Sequence, residues 1–246
     1  MGVYGKIRFL TALMFIALLA GMPPAALGQA HHCGWLRATA EVPLGKKWRT
    51  DAELQERRQS SIGTTNPLAA QQMYSWRQWL YYMPSGNLRL ALSPFAYFHS
   101  RPYIITAADE GKPATEEYRF TAAAEWQQPL PVRHLFVVGR VGAEYRLVHH
   151  NPAMLRTRYR TGIRYAITPK YTAAVNYEYL IGTTTRPAFT DFDNARAWAS
   201  ITHPLSPHLR AELGFLHINR KLKNGDLMQE NNILLNISFS LGKDAR

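Results

Sequence analysis

The chain has little of what a soluble enzyme or a helical membrane protein is built from. It carries one cysteine, Cys33, in 246 residues, so an internal disulfide cannot form. Beyond Ala20 no apolar run approaches the ~20 residues of a membrane helix. A mature chain that crosses a membrane must then be a closed β-barrel, the other structure that satisfies every backbone group in lipid. There is no phosphate loop, zinc-ligand spacing or dinucleotide fingerprint, and no low-complexity tract or linker marks off a second domain. Acidic residues are few: 17 Asp and Glu face 29 Lys and Arg, a formal charge of +12. Such a balance is common in nucleic-acid binders, yet no Lys/Arg-rich run occurs. The arginines stand singly within apolar segments, and no nucleic-acid partner is expected.

What is present begins with an export signal. Lys6 and Arg8 precede an apolar stretch from Phe9 to Ala20, and Ala26-Leu27-Gly28 supplies small residues for cleavage. Residues 1–28 read as a signal peptide and 29–246 as one outer-membrane β-barrel domain, with Gln29 as the first mature residue. Loss of Lys6 and Arg8 from the +12 total leaves +10. Cys33 follows Ala30-His31-His32, a poor context for lipid attachment. Three adjacent residues, His31, His32 and Cys33, make a poor metal site, so no metal and no other cofactor is expected.

The rest alternates with a period of two, the spacing of a strand with unlike faces. The last strand sets Ile233, Leu235, Ile237, Phe239 and Leu241 against Asn232, Leu234, Asn236, Ser238 and Ser240. Leu155 to Thr168 is the clearest case. Leu155, Thr157, Tyr159, Thr161, Ile163, Tyr165 and Ile167 share one face, and Arg156, Arg158, Arg160 and Arg164 share the other. Against lipid near the midplane each arginine would cost roughly 2–4 kcal/mol, so the four together roughly 8–16 kcal/mol. They are expected to line a lumen.

Short turns at Pro43, Pro84, Pro129, Pro169 and Pro204 alternate with longer polar links near Ser60, Gly111, Asn151, Thr184 and Asn224, as in outer-membrane barrels. The links include Gly182 to Asp193 and Asn219 to Glu230. Eleven strand-like segments can be counted from Gly34–Val42 onward. Bacterial single-chain barrels have even strand numbers. The fold class expected is therefore an all-β antiparallel transmembrane barrel of ten strands, with Gly34–Val42 as an accessory segment in or near the lumen. Twelve strands is the alternative. Tyr and Trp recur near strand ends, among them Trp48, Tyr74, Trp76, Tyr82, Trp126, Tyr145, Tyr165 and Tyr179, as interface girdles do.

Glu41-Val42-Pro43-Leu44-Gly45-Lys46-Lys47-Trp48, Glu53-Leu54-Gln55-Glu56-Arg57, the Tyr81-Tyr82 hairpin at Pro84-Ser85-Gly86-Asn87 and the closing Leu235-Asn236-Ile237-Ser238-Phe239 resemble domain-of-unknown-function family 2490. That family resembles outer-membrane barrels and has no settled activity. The final strand is also similar to the signal read by the barrel-assembly machinery, with Ile237, Phe239 and Leu241 at alternate apolar positions. It departs from that signal by ending in Gly242-Lys243-Asp244-Ala245-Arg246 rather than an aromatic. Implied partners are outer-membrane lipid and that machinery, and the implied location is the bacterial outer membrane.

No catalytic constellation stands out. His99-Ser100 lacks the adjacent Asn of outer-membrane phospholipases and deacylases, and sequence neighbours point to opposite strand faces. Asp191 and Asp193 fall on an expected loop, and His149-His150 lacks a third ligand. The lumen face is expected to carry Arg49, Arg77, Arg89, Arg119, Arg140, Arg146, Arg156, Arg158, Arg160, Arg164, Arg196 and Arg210. Its expected acids are Asp51, Glu53, Glu117, Glu125, Glu144, Glu178 and Glu212. Either a packed salt-bridge network fills the barrel or a positive surplus lines a passage. The reading is a non-enzymatic barrel, structural, binding or passing small solutes with an anion bias. The alternatives are an outer-membrane enzyme acting on lipid or envelope substrates, and a secreted soluble β-barrel with its arginines outside.

Overall fold

A computed structural model describes residues 31–185, 188–222 and 225–242. The expected signal peptide and Gln29 lie outside the described residues. His31–Arg246 forms one unit. Its strands are β1 (His31–Pro43), β2 (Trp48–Gln59), β3 (Ala70–Ser85), β4 (Leu88–Ser100), β5 (Thr115–Pro129), β6 (Leu135–Val148), β7 (Met154–Ala166), β8 (Thr172–Thr185), β9 (Ala188–Pro204), β10 (Leu209–Lys221) and β11 (Leu227–Ser240). One 3-10 turn, Ala107–Asp109, lies in the β4–β5 loop.

Each strand pairs antiparallel with its sequence neighbours, and the sheet closes where β1 pairs with β11. That closing pair is parallel, running from His31 opposite Glu230 to Glu41 opposite Ser240. An odd number of strands requires this, because the first and last then point the same way. The barrel therefore has eleven strands, not ten or twelve, and Gly34–Val42 is wall rather than accessory. Its alternation of Leu36, Ala38, Ala40 and Val42 with Trp35, Arg37, Thr39 and Glu41 is a full strand signal that the expectation of an even number overrode.

The Gly182–Asp193 link is also corrected. Strand β8 runs through Thr185 and β9 begins at Ala188, with the Thr183 and Thr190 hydroxyls 3.1 Å apart across the pair. Likewise β10 extends to Lys221 and β11 starts at Leu227, which takes up most of the expected Asn219–Glu230 link. Polar residues here continue strands beyond their apolar middle.

The faces sort by chemistry. Outward lie Leu54, Leu90, Leu92, Val141, Leu155, Ile163, Ile201, Leu213, Ile233, Leu235 and Phe239, all exposed, Leu213 by 61%. Inward lie most charged residues of the strands, with Arg156 at 3% and Glu144 at 0% exposure, while Glu56, Arg58 and Glu116 face outward near the long loops. Outward aromatics gather near both ends. Tyr74, Tyr97 and Tyr118 form a chain of tilted rings toward the long loops, and Trp48 meets Tyr82 by the short turns. Gly139 stands opposite Trp126, whose indole occupies the space where a Cβ would sit.

The register gives a direct test of the seam. Ala38 and Ile237 are Cα partners across β1 and β11. In a Cys33→Ser background, Ala38→Cys with Ile237→Cys should form an intramolecular crosslink under mild oxidation or with a short bismaleimide. A β1 held in the lumen, on the far side of the wall from Ile237, would give none.

Candidate functional site

The inner face of β7 is the centre of the lumen. Alternation turns Arg156, Arg158, Arg160 and Arg164 inward, and Gly162 interrupts the row because Asn176 of β8 fills that space. Arg158 bridges two carboxylates. Its Nη1 donates to Glu144 Oε1 at 2.6 Å, and its Nη2 donates to Glu178 Oε1 at 2.8 Å. Arg156 holds the other oxygen of Glu144 and also donates to Asp193 at 3.0 Å. Glu178 lies 3.6 Å from Arg196 as well. Glu144 and Glu178 are almost fully buried, where an unpaired charge is costly.

A second knot lies toward the short turns. Arg140 and Arg160 stand directly opposite each other on β6 and β7, an unfavourable like-charge pair. Glu125 moderates it, accepting from Arg140 at 2.7 Å and from Arg89, with Arg160 at 3.8 Å. At the opposite end, toward the long loops, Arg146 shares Glu117 with Arg119. Arg164 donates to the Gln127 amide at 2.7 Å, and Glu212 accepts from Asn236 at 2.8 Å. The structure thus joins Arg140, Arg146, Arg156, Arg158 and Arg160 to carboxylates. Arg164 and Glu212 instead meet uncharged amides.

Aromatic faces back several of these cations as well, most of them already paired with a carboxylate. On the β3–β4 wall, Arg89 lies over Tyr81, Arg140 over Trp79, and Arg119 over Phe98 at 3.7 Å. On the β1 wall, Arg57 lies over Trp35 at 3.4 Å. Trp35 packs with Leu216, Ile218 and Leu234, which explains a leucine on the polar face of the last strand.

Sequence reasoning missed Glu41, Asp193, Tyr103, Arg220 and Glu230. Glu41 pairs with Arg49 at 3.3 Å and Arg210 at 2.5 Å, and it was overlooked because β1 was set aside. Asp193 and Glu230 fell in expected links. Tyr103, from the β4–β5 loop, reaches under the rim and donates to Glu230 Oε2 at 3.1 Å. Arg220 pairs with Glu230 at 2.5 Å. Gln59 fastens the same loop, donating to Pro102 O at 3.1 Å and accepting from Ile104 N at 3.1 Å. Burial raises the Tyr103 phenol well above its usual range, with Glu230 adding to the rise against Arg220. The hydroxyl therefore remains a donor.

The other candidates are dispersed. His31 and Cys33 are buried and His31 bonds Gln59, while His32 lies on the alternate position of the strand. His99 stacks on Tyr74. Asp191 and Asp193 stand on β9, not a loop, engaged by Lys221 and Arg156 respectively. Ile237, Phe239 and Leu241 keep one face, with Phe239 and Leu241 exposed.

Comparison with known proteins comes down to one family and one architecture. The family described as a protein of unknown function, DUF2490, matches residues 33–229. No curated protein matches the sequence. Among solved structures, the NanC porin is similar with a TM-score of 0.51 at 10% identity, over 87% of this chain and 100% of that one. LpxR from Salmonella typhimurium gives 0.49 at 9% identity, over 78% and 83%. OmpT, an outer membrane protein of Vibrio cholerae, gives 0.36 at 9% identity, over 73% and 57%, so the chain spans little more than half of that protein's length.

Arg158 and Arg164 offer a contrast in the same row. Arg158→Gln strands Glu144 and Glu178 with one cation each and should cost about 3–5 kcal/mol. Arg164→Gln should cost about 1 kcal/mol or less. Urea unfolding of refolded protein, followed by heat-modifiable gel migration, compares the two.

Proposed function

From membership of the DUF2490 family, to which the chain belongs, and from its closed barrel, we propose that this protein is a non-enzymatic bacterial outer-membrane barrel that passes small solutes and prefers anions. The observation that carries the reading is the sorting of faces. Leucines and isoleucines cover the outside, and arginines and carboxylates fill the inside. A soluble barrel needs the reverse, since contiguous apolar surfaces larger than a few hundred Å² are rare in water. A 13-residue strand such as β7, tilted about 40°, rises roughly 33 Å and so clears an apolar band of about 25 Å. The two groups of outward aromatics favour the same setting.

The anion bias rests on the interior arginines. They outnumber the interior carboxylates, and cation rings in a pore favour anions. The close pairing around Glu144, Glu178 and Glu125 makes the path narrow. The short turns then face the periplasm and the long loops the outside, with lipid and the barrel-assembly machinery as partners. An enzyme of lipid or envelope substrates has less support, because His99, Asp191 and Asp193 are each held in separate contacts.

The protein should fractionate with the outer membrane, and purified protein in a planar bilayer should give a small anion-preferring conductance. Arg158→Gln with Arg160→Gln should shift the reversal potential toward cations. Recovery as a soluble periplasmic protein, or a large cation-selective conductance, contradicts the proposal.

A further inference from the structure

Most interior arginines have a carboxylate or an amide oxygen within hydrogen-bond distance. Among those near mid-depth, Arg37, Arg77 and Arg160 do not; Glu125 lies 3.8 Å from Arg160, whereas Arg37 and Arg77 share a different neighbour, Glu53. Arg77 of β3 is buried, with 8% exposure, and no hydrogen bond or ion pair reaches it among the described residues. Its Nε is buried without a partner. It is held between two rings, 5.0 Å from Trp79 and 5.2 Å from Phe98. Arg37 of β1 likewise has an unpartnered buried Nε, and its one ionic contact among the described residues is Glu53 at 3.7 Å. Its side chain keeps 33% of its surface open on the lumen side.

Glu53 joins them. It stands opposite Arg77 in the β2–β3 register and opposite Thr39, two residues beyond Arg37, in the β1–β2 register. Arg37, Arg77, Arg140 and Arg158 all act on it electrostatically, yet its carboxylate accepts no hydrogen bond from any described residue. Arg140 and Arg158 are committed to Glu125, Glu144 and Glu178. Glu53 is therefore the carboxylate Arg37 and Arg77 have in common, with Glu144 also acting on Arg77, and among the described residues none holds either arginine by a hydrogen bond. A buried guanidinium without a hydrogen-bonded anion is costly. Aromatic faces against Arg77 leave its N–H edge, the part that binds an oxyanion in the guanidinium plane, unused.

We propose that Arg37 and Arg77 form a binding site for a small oxyanion, a carboxylate or a phosphate, for which Glu53 is the resident competitor. An incoming oxyanion accepts hydrogen bonds from the free N–H groups of both arginines, and Glu53 swings aside toward the open lumen. The site deepens the anion-passage reading by giving the path a place of residence. Binding in detergent does not need conductance, so the two ideas fail separately.

The test is calorimetric titration of the full-length, detergent-folded protein with sodium acetate and with sodium phosphate, at constant ionic strength in sodium chloride. Saturable heat with either probe is expected. Saturation by acetate alone identifies a carboxylate site and by phosphate alone a phosphate site. Arg37→Gln, which breaks only a 3.7 Å contact, should fold and weaken binding by about tenfold or more, as loss of a charge-assisted hydrogen bond does. Glu53→Gln should tighten binding, an effect that loss of structure would not mimic, and it decides the matter alone if Arg37→Gln does not fold. No saturable heat with either probe, unchanged affinity in Arg37→Gln, or weaker binding in Glu53→Gln overturns the proposal.

Discussion

The structure depends on a single separation: apolar side chains on one face of the wall and charge on the other. In the proposed membrane setting lipid makes no hydrogen bonds, so the wall must satisfy its backbone within the sheet and keep charges inside. Once inside, charges lose much of their screening and must find each other. That is why the lumen is organised as shared carboxylates rather than isolated pairs. Glu144 serves Arg156 and Arg158, Glu125 serves Arg89, Arg140 and Arg160, and Glu117 serves Arg119 and Arg146.

With fewer acids than arginines inside the barrel, the wall also sets aromatic rings against guanidinium groups, both paired ones such as Arg89 and Arg119 and Arg77, unpaired among the described residues. Trp35, Trp79, Tyr81 and Phe98 point inward although each is apolar enough for lipid. Each offers a π-face to a guanidinium without neutralising its charge. The interior arginines still outnumber the interior carboxylates.

Much of this was legible in the sequence. The arginine row of β7 could be placed on one face by period alone, and its partners on the flanking strands, Glu144 and Glu178, followed from adjacency. Three things were not legible. The wall membership of β1 was hidden by parity, although its alternation was in view. The interior places of Asp193 and Glu230 were hidden because the strands extend past their apolar middles, where polar stretches look like loops. Tyr103 comes from a loop that folds back under the rim, with Asp109 Oδ2 accepting from Thr106 N at 2.7 Å to shape its base. No periodicity announces such a contact.

The parallel seam sets the order in which the barrel forms. Every antiparallel pair joins strands that are neighbours in sequence, so each can zip as a local hairpin with a small loop-closure cost. The β1–β11 pair joins the two ends of the chain, the contact of greatest sequence separation in the sheet, and parallel pairing is slightly weaker per residue. Closure is accordingly the last and slowest step, because non-local contacts come late. Until it occurs, β1 and β11 are two unpaired edges open to any other strand.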